Sequence, residues 1–222
     1  MKLNGCVTDF NGTLFFDTPL HVQVWNQMAL ELTGHGITAE EMQTKYCGMN
    51  NLDTLKILRP GMSDDWYTAQ SEEKERRYRE AALQMPGGPH LTPGSEQLFD
   101  WLKEHQIPIA MATASIRANV DFYVSTFHLD RWIKEEDIVY DDGRFNEKEA
   151  MYREASRRIG CGTSVLILED SLSGIKGASG LEDAKLLIID SPLLRPYYPQ
   201  YPKILKVMPD FTEALPVVEP LF

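Results

Sequence analysis

From Leu91 onward the chain alternates apolar runs too short for helices with amphipathic segments too long for strands. Residues 107–112, 137–140, 164–168 and 185–189 predict strands; residues 95–104, 116–127, 147–159 and 172–178 predict helices, the last two ended by Gly160 and Gly180. Such alternation favours a mostly parallel sheet with helices on both faces, because each parallel connection has to cross the sheet. A last short strand is expected at 206–208, after an irregular Pro- and Tyr-rich connection over 192–202.

Upstream the texture is purely helical. Asp17-Thr18-Pro19 reads as a helix start with a capping side chain, and Trp25, Met28, Ala29 and Leu32 follow at helical spacing until Gly34. Thr38-Ala39-Glu40-Glu41 has capping-box spacing and opens a short helix to about Tyr46. Asn50 or Asn51 caps a third helix carrying Leu52, Leu55 and Leu58 and broken at Pro60-Gly61. Ser63-Asp64-Asp65 starts a fourth, heavily charged one that Pro86-Gly87-Gly88-Pro89 ends. The expected fold is therefore α/β: a Rossmann-like, mostly parallel core of residues 1–16 and 91–222, with an all-helical domain of residues 17–90 inserted after the first strand.

In an open α/β sheet ligands bind outside the carboxyl ends of the strands, and three strand ends here carry reactive groups. The first apolar run ends at Asp9, followed by Asn11, Gly12 and Thr13. A second ends at Thr113 and Ser115; a third ends at Glu169-Asp170. Adjacent carboxylates at a strand end are costly unless a cation compensates them.

These segments resemble the motifs of the haloacid dehalogenase (HAD) superfamily. Asp9-Phe10-Asn11-Gly12-Thr13 is similar to the opening Asp-x-Asp-x-Thr, with Asn11 in place of the second aspartate; Thr113 matches the second motif, and Glu169-Asp170-Ser171-x-x-Gly174 the fourth. The usual Lys-Pro-x-Pro-Asp motif is absent; Lys148 is taken as its lysine, with Arg144 as the alternative. A helical insert directly after the first motif narrows the resemblance to members with a C1-type cap, such as phosphoglycolate phosphatase and β-phosphoglucomutase.

The resemblance implies that Asp9 takes the phosphoryl group while Thr113 and Lys148 contact its oxygens. Mg²⁺ would be held by Asp9, Asp170 and the Asn11 backbone carbonyl, with Glu169 acting through a water. Gly12, Thr13 and Ser115 join the substrate side, although Ser115 is equally placed to cap the next helix. In the cap, His21 and the turn Gly48-Met49-Asn50-Asn51, with Asn50 and Asn51 foremost, are the candidates for substrate choice. In the family the second aspartate protonates the leaving oxygen and activates water, which Asn11 cannot do. Three functions stay open: a Mg²⁺-dependent phosphatase of a small phosphorylated metabolite, slowed by Asn11; a phosphosugar mutase; and a lapsed enzyme that binds a ligand or protein.

A net charge of −11 and a pI near 4.9 set the surface against a phosphate-backbone partner, so no nucleic acid is expected. No apolar run approaches membrane length, and a cytoplasmic monomer is the expectation. Cys6, Cys47 and Cys161 lack metal-ligand spacing and read as reduced thiols.

Overall fold

The computed structural model describes residues 2–38, 41–46 and 49–222. Ala39 and Glu40 of the capping-box segment, Cys47 of the three expected thiols, and Gly48 of the proposed cap turn lie outside the described residues. The chain divides into two units, Met1–Phe16 with His90–Phe222, and Asp17–Pro89.

The larger unit is built on six strands: β1 (Gly5–Thr8), β2 (Ile109–Ala112), β3 (Ile138–Val139), β4 (Val165–Glu169), β5 (Lys185–Ile189) and β6 (Ile204–Met208). All pairings are parallel and the order is β3-β2-β1-β4-β5-β6. The sequence-predicted α/β architecture is thus the observed one. Strand β2 begins at Ile109 rather than at residue 107, because Pro108 has no N–H to give to a ladder; its carbonyl instead accepts from Cys6 N at 2.9 Å. Strand β3 shrinks to two residues since Glu135–Asp137 winds into a 3₁₀ turn.

Crossovers are made by α4 (Ser95–Glu104), α5 (Arg117–Phe127), α6 (Lys148–Arg158) and α7 (Leu172–Ser179), after the helical unit's α1 (Thr18–Thr33), α2 (Asn51–Leu58) and α3 (Asp64–Leu83). One sheet face presents Val7, Ala110, Ala112, Val165, Ile167, Leu186 and Ile188 to Met151, Tyr152 and Ala155 of α6 and Ile175 and Ala178 of α7. The intervening Cys6, Met111, Leu166 and Leu168 are buried as well, so both faces are covered. This explains why the strands read as unbroken apolar runs. A short helix α8 (Leu215–Val218) and a 3₁₀ turn close the chain, and Leu221 O accepts from Leu3 N at 2.8 Å. With Pro216 and Pro220 and only a few residues of periodicity, this end carries no readable helical signal.

The two crossings between core and insert are tied together within the core. Thr92 donates from N to Leu14 O at 2.8 Å and from Oγ1 to Thr13 O at 2.8 Å.

Within the helical unit, α1 buries Leu20, Val24, Trp25, Met28 and Ala29 on one stripe and stops at Gly34, whose φ of 80° suits a residue without Cβ. Thr38 and Glu41 form a reciprocal capping box, Glu41 N to Thr38 Oγ1 at 3.1 Å and Thr38 N to Glu41 Oε2 at 2.9 Å, ahead of a π-helical turn at Met42–Tyr46. Asn50, not Asn51, caps α2, and Ser63 caps α3. Asp17 does not cap α1: its backbone is already near-helical, and its buried carboxylate accepts from Tyr78 Oη and faces His21 Nε2 at 3.3 Å. Among the described residues no helix is long and apolar enough to cross a membrane.

Candidate active site

The strand order puts its reversal between β1 and β4, so their carboxyl ends open a crevice. Thr8 lies opposite Leu168 in the ladder, which sets Asp9 beside Glu169 and Asp170; on the other side Thr8 lies opposite Met111, which brings Thr113 alongside. Asp9, Thr113, Glu169, Asp170 and Lys148 thereby meet at one edge of the sheet although up to 161 positions separate them in sequence (170 − 9). The turn after Asp9 is tight: Phe10 O accepts from the amides of Thr13, Leu14 and Phe15, and Gly12 stands at φ 76°. A Cβ at Gly12 would lie 2.1 Å from Asp170 Oδ2, so only glycine lets the two loops approach.

Lys148, at the first position of α6, bonds Asp9 Oδ1 through its ammonium, sits 3.5 Å from Glu169 Oε1 and donates to Ala112 O at 3.4 Å. Arg144 is largely exposed and pairs with Asp142 instead. Thr13 Oγ1 donates to Asp170 Oδ1 at 3.0 Å. Glu169 is fully buried and turned inward: Tyr152 Oη donates to Oε1 at 2.6 Å, and the amides of Asp170 and Ser171 donate to Oε2 at 2.6 Å each.

Asn11 closes a ring of hydrogen bonds. Its Nδ2 donates to Tyr123 Oη at 2.9 Å, Tyr123 Oη and Ser115 Oγ are 3.0 Å apart, and Ser115 Oγ donates back to Asn11 Oδ1 at 2.7 Å. Thr113 Oγ1 reaches the same Oδ1 at 3.4 Å. Every hydroxyl in the ring both gives and receives, the arrangement in which such bonds strengthen one another. Tyr123, fully buried and stacked on Phe10 at 3.9 Å, belongs to this ring without any local sequence signal to announce it. Ser115 is spent here and does not cap α5, whose N-cap is Ile116.

The remaining sequence candidates lie in the helical unit. His21 stacks on Tyr78 at 4.2 Å and its Nδ1 is 2.9 Å from Lys74 Nζ. Asn51 donates to Glu75 Oε1 at 2.7 Å, and the Asn50 side chain is engaged with Asp53 as the α2 cap. Lys74 and Glu75 are buried and paired at 2.8 Å, an ionic centre that periodicity alone would have assigned to core.

Burial pushes the Asp9 carboxyl up to about 7, with Lys148 opposing and Glu169 adding to the rise. Asp170 is held well above the usual carboxylate range by burial and then by Glu169 and Asp9. Burial would lower Lys148, but Asp9 and Glu169 more than offset it and the ammonium is retained. Two buried carboxylates that resist ionising side by side are a fit for a hard divalent cation with oxygen ligands. Among the described residues no three Asp, Glu, His or Cys side chains gather closely enough to hold a metal. Mg²⁺ does not require that, since it takes one or two carboxylates and completes its shell with waters and phosphate oxygens.

A pH signature follows. A carboxyl raised in the folded state holds its proton more tightly there, so without divalent cation Asp9 should make the protein less stable as pH rises from about 4 to about 7, and Asp170, raised in the same direction, should add to the same slope. Glu73 and Glu154, held near 2 by arginines, contribute the opposite slope, but only as pH falls below 4.5. Mg²⁺ should therefore raise Tm more at pH 7.5 than at pH 5, and Asp170→Ala should remove the gain. An equal Mg²⁺ response in the variant would rule out this pair as the metal site.

Residues 3–181 match the sequence model of the family described as haloacid dehalogenase-like hydrolase. No curated protein matches the chain. Among solved structures it is similar to a HAD hydrolase, family IA, variant 3, from Entamoeba histolytica, at 28% identity and a TM-score of 0.87 over 99% of both chains. A mutant of CbbY from Rhodobacter sphaeroides in complex with xylulose-(1,5)bisphosphate is 19% identical, with a TM-score of 0.77 over 95% of this chain and 96% of that one. β-Phosphoglucomutase from Clostridium difficile, 14% identical, gives 0.78 over 99% and 96%.

Proposed function

The chain belongs to the haloacid dehalogenase-like hydrolases, and from that premise we propose that it is a Mg²⁺-dependent phosphatase of a small phosphorylated metabolite, acting through an aspartyl phosphate on Asp9. The observation that carries this reading is the Asp9 carboxylate at the sheet's carboxyl edge, bonded by Lys148 and flanked by Asp170.

An Asp9 oxygen attacks phosphorus, a P–O bond to the leaving group breaks, and the phosphoryl group rests on Asp9. Water then attacks phosphorus, the bond to Asp9 breaks, and inorganic phosphate leaves. Lys148 and the Thr113 hydroxyl offer charge and a hydrogen bond to the phosphoryl oxygens. Asp9, Asp170 and the Asn11 backbone carbonyl would hold Mg²⁺, which would neutralise the repulsion between carboxylate and phosphate. Asn11 has no proton to exchange, so leaving groups that depart without protonation are favoured. Residues 17–89 are the proposed substrate-selecting cap. The sugar bisphosphate held by CbbY makes sugar phosphates the first class to screen.

The test uses p-nitrophenyl phosphate and acetyl phosphate with Mg²⁺ or EDTA. A burst of leaving group followed by slow turnover is expected, with one extra phosphoryl group in the intact mass and none in Asp9→Asn. A chain that stays unphosphorylated and inert toward every ester tested is a binding protein, the reading that the saturated Asn11 amide would then favour.

A further inference from the structure

We propose that Tyr152 is a positioning residue for phosphoryl transfer: it holds Glu169 as an inward-facing counter-charge that keeps Lys148 at Asp9, and Glu169 is not a metal ligand. The inference rests on the phosphatase reading for its consequence, and on geometry for its premise.

Tyr152 lies four residues after Lys148, one turn along the same face of α6. Its hydroxyl donates to Glu169 Oε1 at 2.6 Å, and its ring lies 5.5 Å from the Lys148 ammonium, within reach of a cation–π attraction. Both Tyr152 and Glu169 are fully buried. The second oxygen of Glu169 is taken by the Asp170 and Ser171 amides, and Oε1 also faces Lys148 Nζ at 3.5 Å. With donors on both oxygens, the carboxylate has its acceptor capacity engaged by protein.

Its location is equally fixed. A Cβ at Gly174 would stand 1.6 Å from Glu169 Oε1, so the carboxylate lies against the first turn of α7 in space that only glycine leaves open. Turning Glu169 toward a metal would strand the tyrosine hydroxyl and two amides, all in a buried setting where an unmade hydrogen bond is expensive. The position four after the lysine is also where the Lys-Pro-x-Pro-Asp pattern has its aspartate. Here a tyrosine stands at that position, and its partner is Glu169.

Removing the hydroxyl while keeping the ring should release Glu169 Oε1 to compete with Asp9 for Lys148. The site then keeps its metal carboxylates but loses the placed cation that meets phosphate. Tyr152→Phe and Glu169→Gln in the full chain separate these effects, with Mg²⁺ titrated by calorimetry and orthovanadate titrated in saturating Mg²⁺. Tyr152→Phe should weaken vanadate binding about tenfold, the equivalent of one net hydrogen bond. Glu169→Gln should weaken it as well, and both variants should bind Mg²⁺ like the wild type to within about twofold. A general loss of structure would instead move both titrations.

A tenfold or greater loss of Mg²⁺ affinity in a Glu169→Gln variant that keeps the wild-type Tm would make Glu169 a ligand and overturn the proposal. Unchanged vanadate affinity in Tyr152→Phe, or in Glu169→Gln if the tyrosine variant does not fold, would overturn it equally. Turnover is not read in either titration. A wild-type chain that binds vanadate but hydrolyses nothing defeats the phosphatase reading while leaving this inference standing.

Discussion

Asn11→Asp should raise steady-state hydrolysis of ordinary phosphate monoesters on the order of 10²-fold, within the ~10²- to 10⁴-fold range that general acid–base catalysis supplies. The site is prepared to receive the change without refolding. Asn11 is held by the hydroxyls of Ser115, Thr113 and Tyr123, and a hydroxyl can rotate from accepting an amide N–H to donating to a carboxylate. Turning the Tyr123 proton to the new carboxylate gives up its bond to Ser115, so the variant should lose about 1 kcal/mol of stability, the net worth of one hydrogen bond. The burst expected of the wild type with p-nitrophenyl phosphate should disappear, because water now has a base and the phosphoenzyme no longer accumulates. Stopped-flow release of p-nitrophenolate and intact mass at steady state measure both. If the Asn11→Asp variant gains no turnover with any ester while still phosphorylating Asp9, the missing proton carrier is not what limits this site.

Lys148→Met should produce the largest loss. Asp9 and Glu169 are then left as buried carboxylates without their shared cation, and removing one partner of a buried ion pair costs about 3–5 kcal/mol. That cost should be greatest at pH 8 and smaller at pH 5, because the Asp9 carboxyl, pushed up to about 7 by its burial even with the lysine present, is protonated at the lower value and needs no partner. Mg²⁺ should restore part of the stability and little of the chemistry. Single-turnover phosphorylation by acetyl phosphate should fall by about 10²- to 10³-fold, the scale of losing one preorganised charge at the reacting centre. Urea unfolding at both pH values, with and without Mg²⁺, separates the two effects. A pH-independent destabilisation would mean that Lys148 does not stabilise the fold through Asp9.

The sheet was legible in the sequence because its strands are buried on both faces and therefore unbroken in hydropathy, from Val165–Glu169 to Lys185–Ile189. Caps with a local partner were also legible: Thr38 and Glu41 are three residues apart and bond each other. The gathering of Asp9, Thr113 and Asp170 follows once strand order is granted, since each stands just past a strand. What sequence did not disclose is orientation. Glu169 and Asp170 are neighbours with the same chemistry, yet the strand's period of two sends one into the core beneath α6 and leaves the other at the edge. Tyr123 and Asn11 are 112 positions apart, and no spacing rule connects them. Asp17 looked like a cap because residue type is all that a sequence offers; its backbone angles and Tyr78, 61 positions away, decided otherwise.

The pair of hydrogen bonds from Thr92 to Thr13 and Leu14 gives the insert a particular evolutionary standing. Seen from the sheet, the 73 residues from Asp17 to Pro89 (89 − 17 + 1) are one loop whose two ends already touch. Loop-closure entropy grows only with the logarithm of length, so exchanging this loop for one of half or twice the size alters the core's stability by only about 0.6 kcal/mol. Under the function proposed above, the fold would separate inheritance of chemistry from inheritance of selectivity: the first would lie in strand ends of the sheet, and the second on an insert joined to the core at one doubly bonded neck.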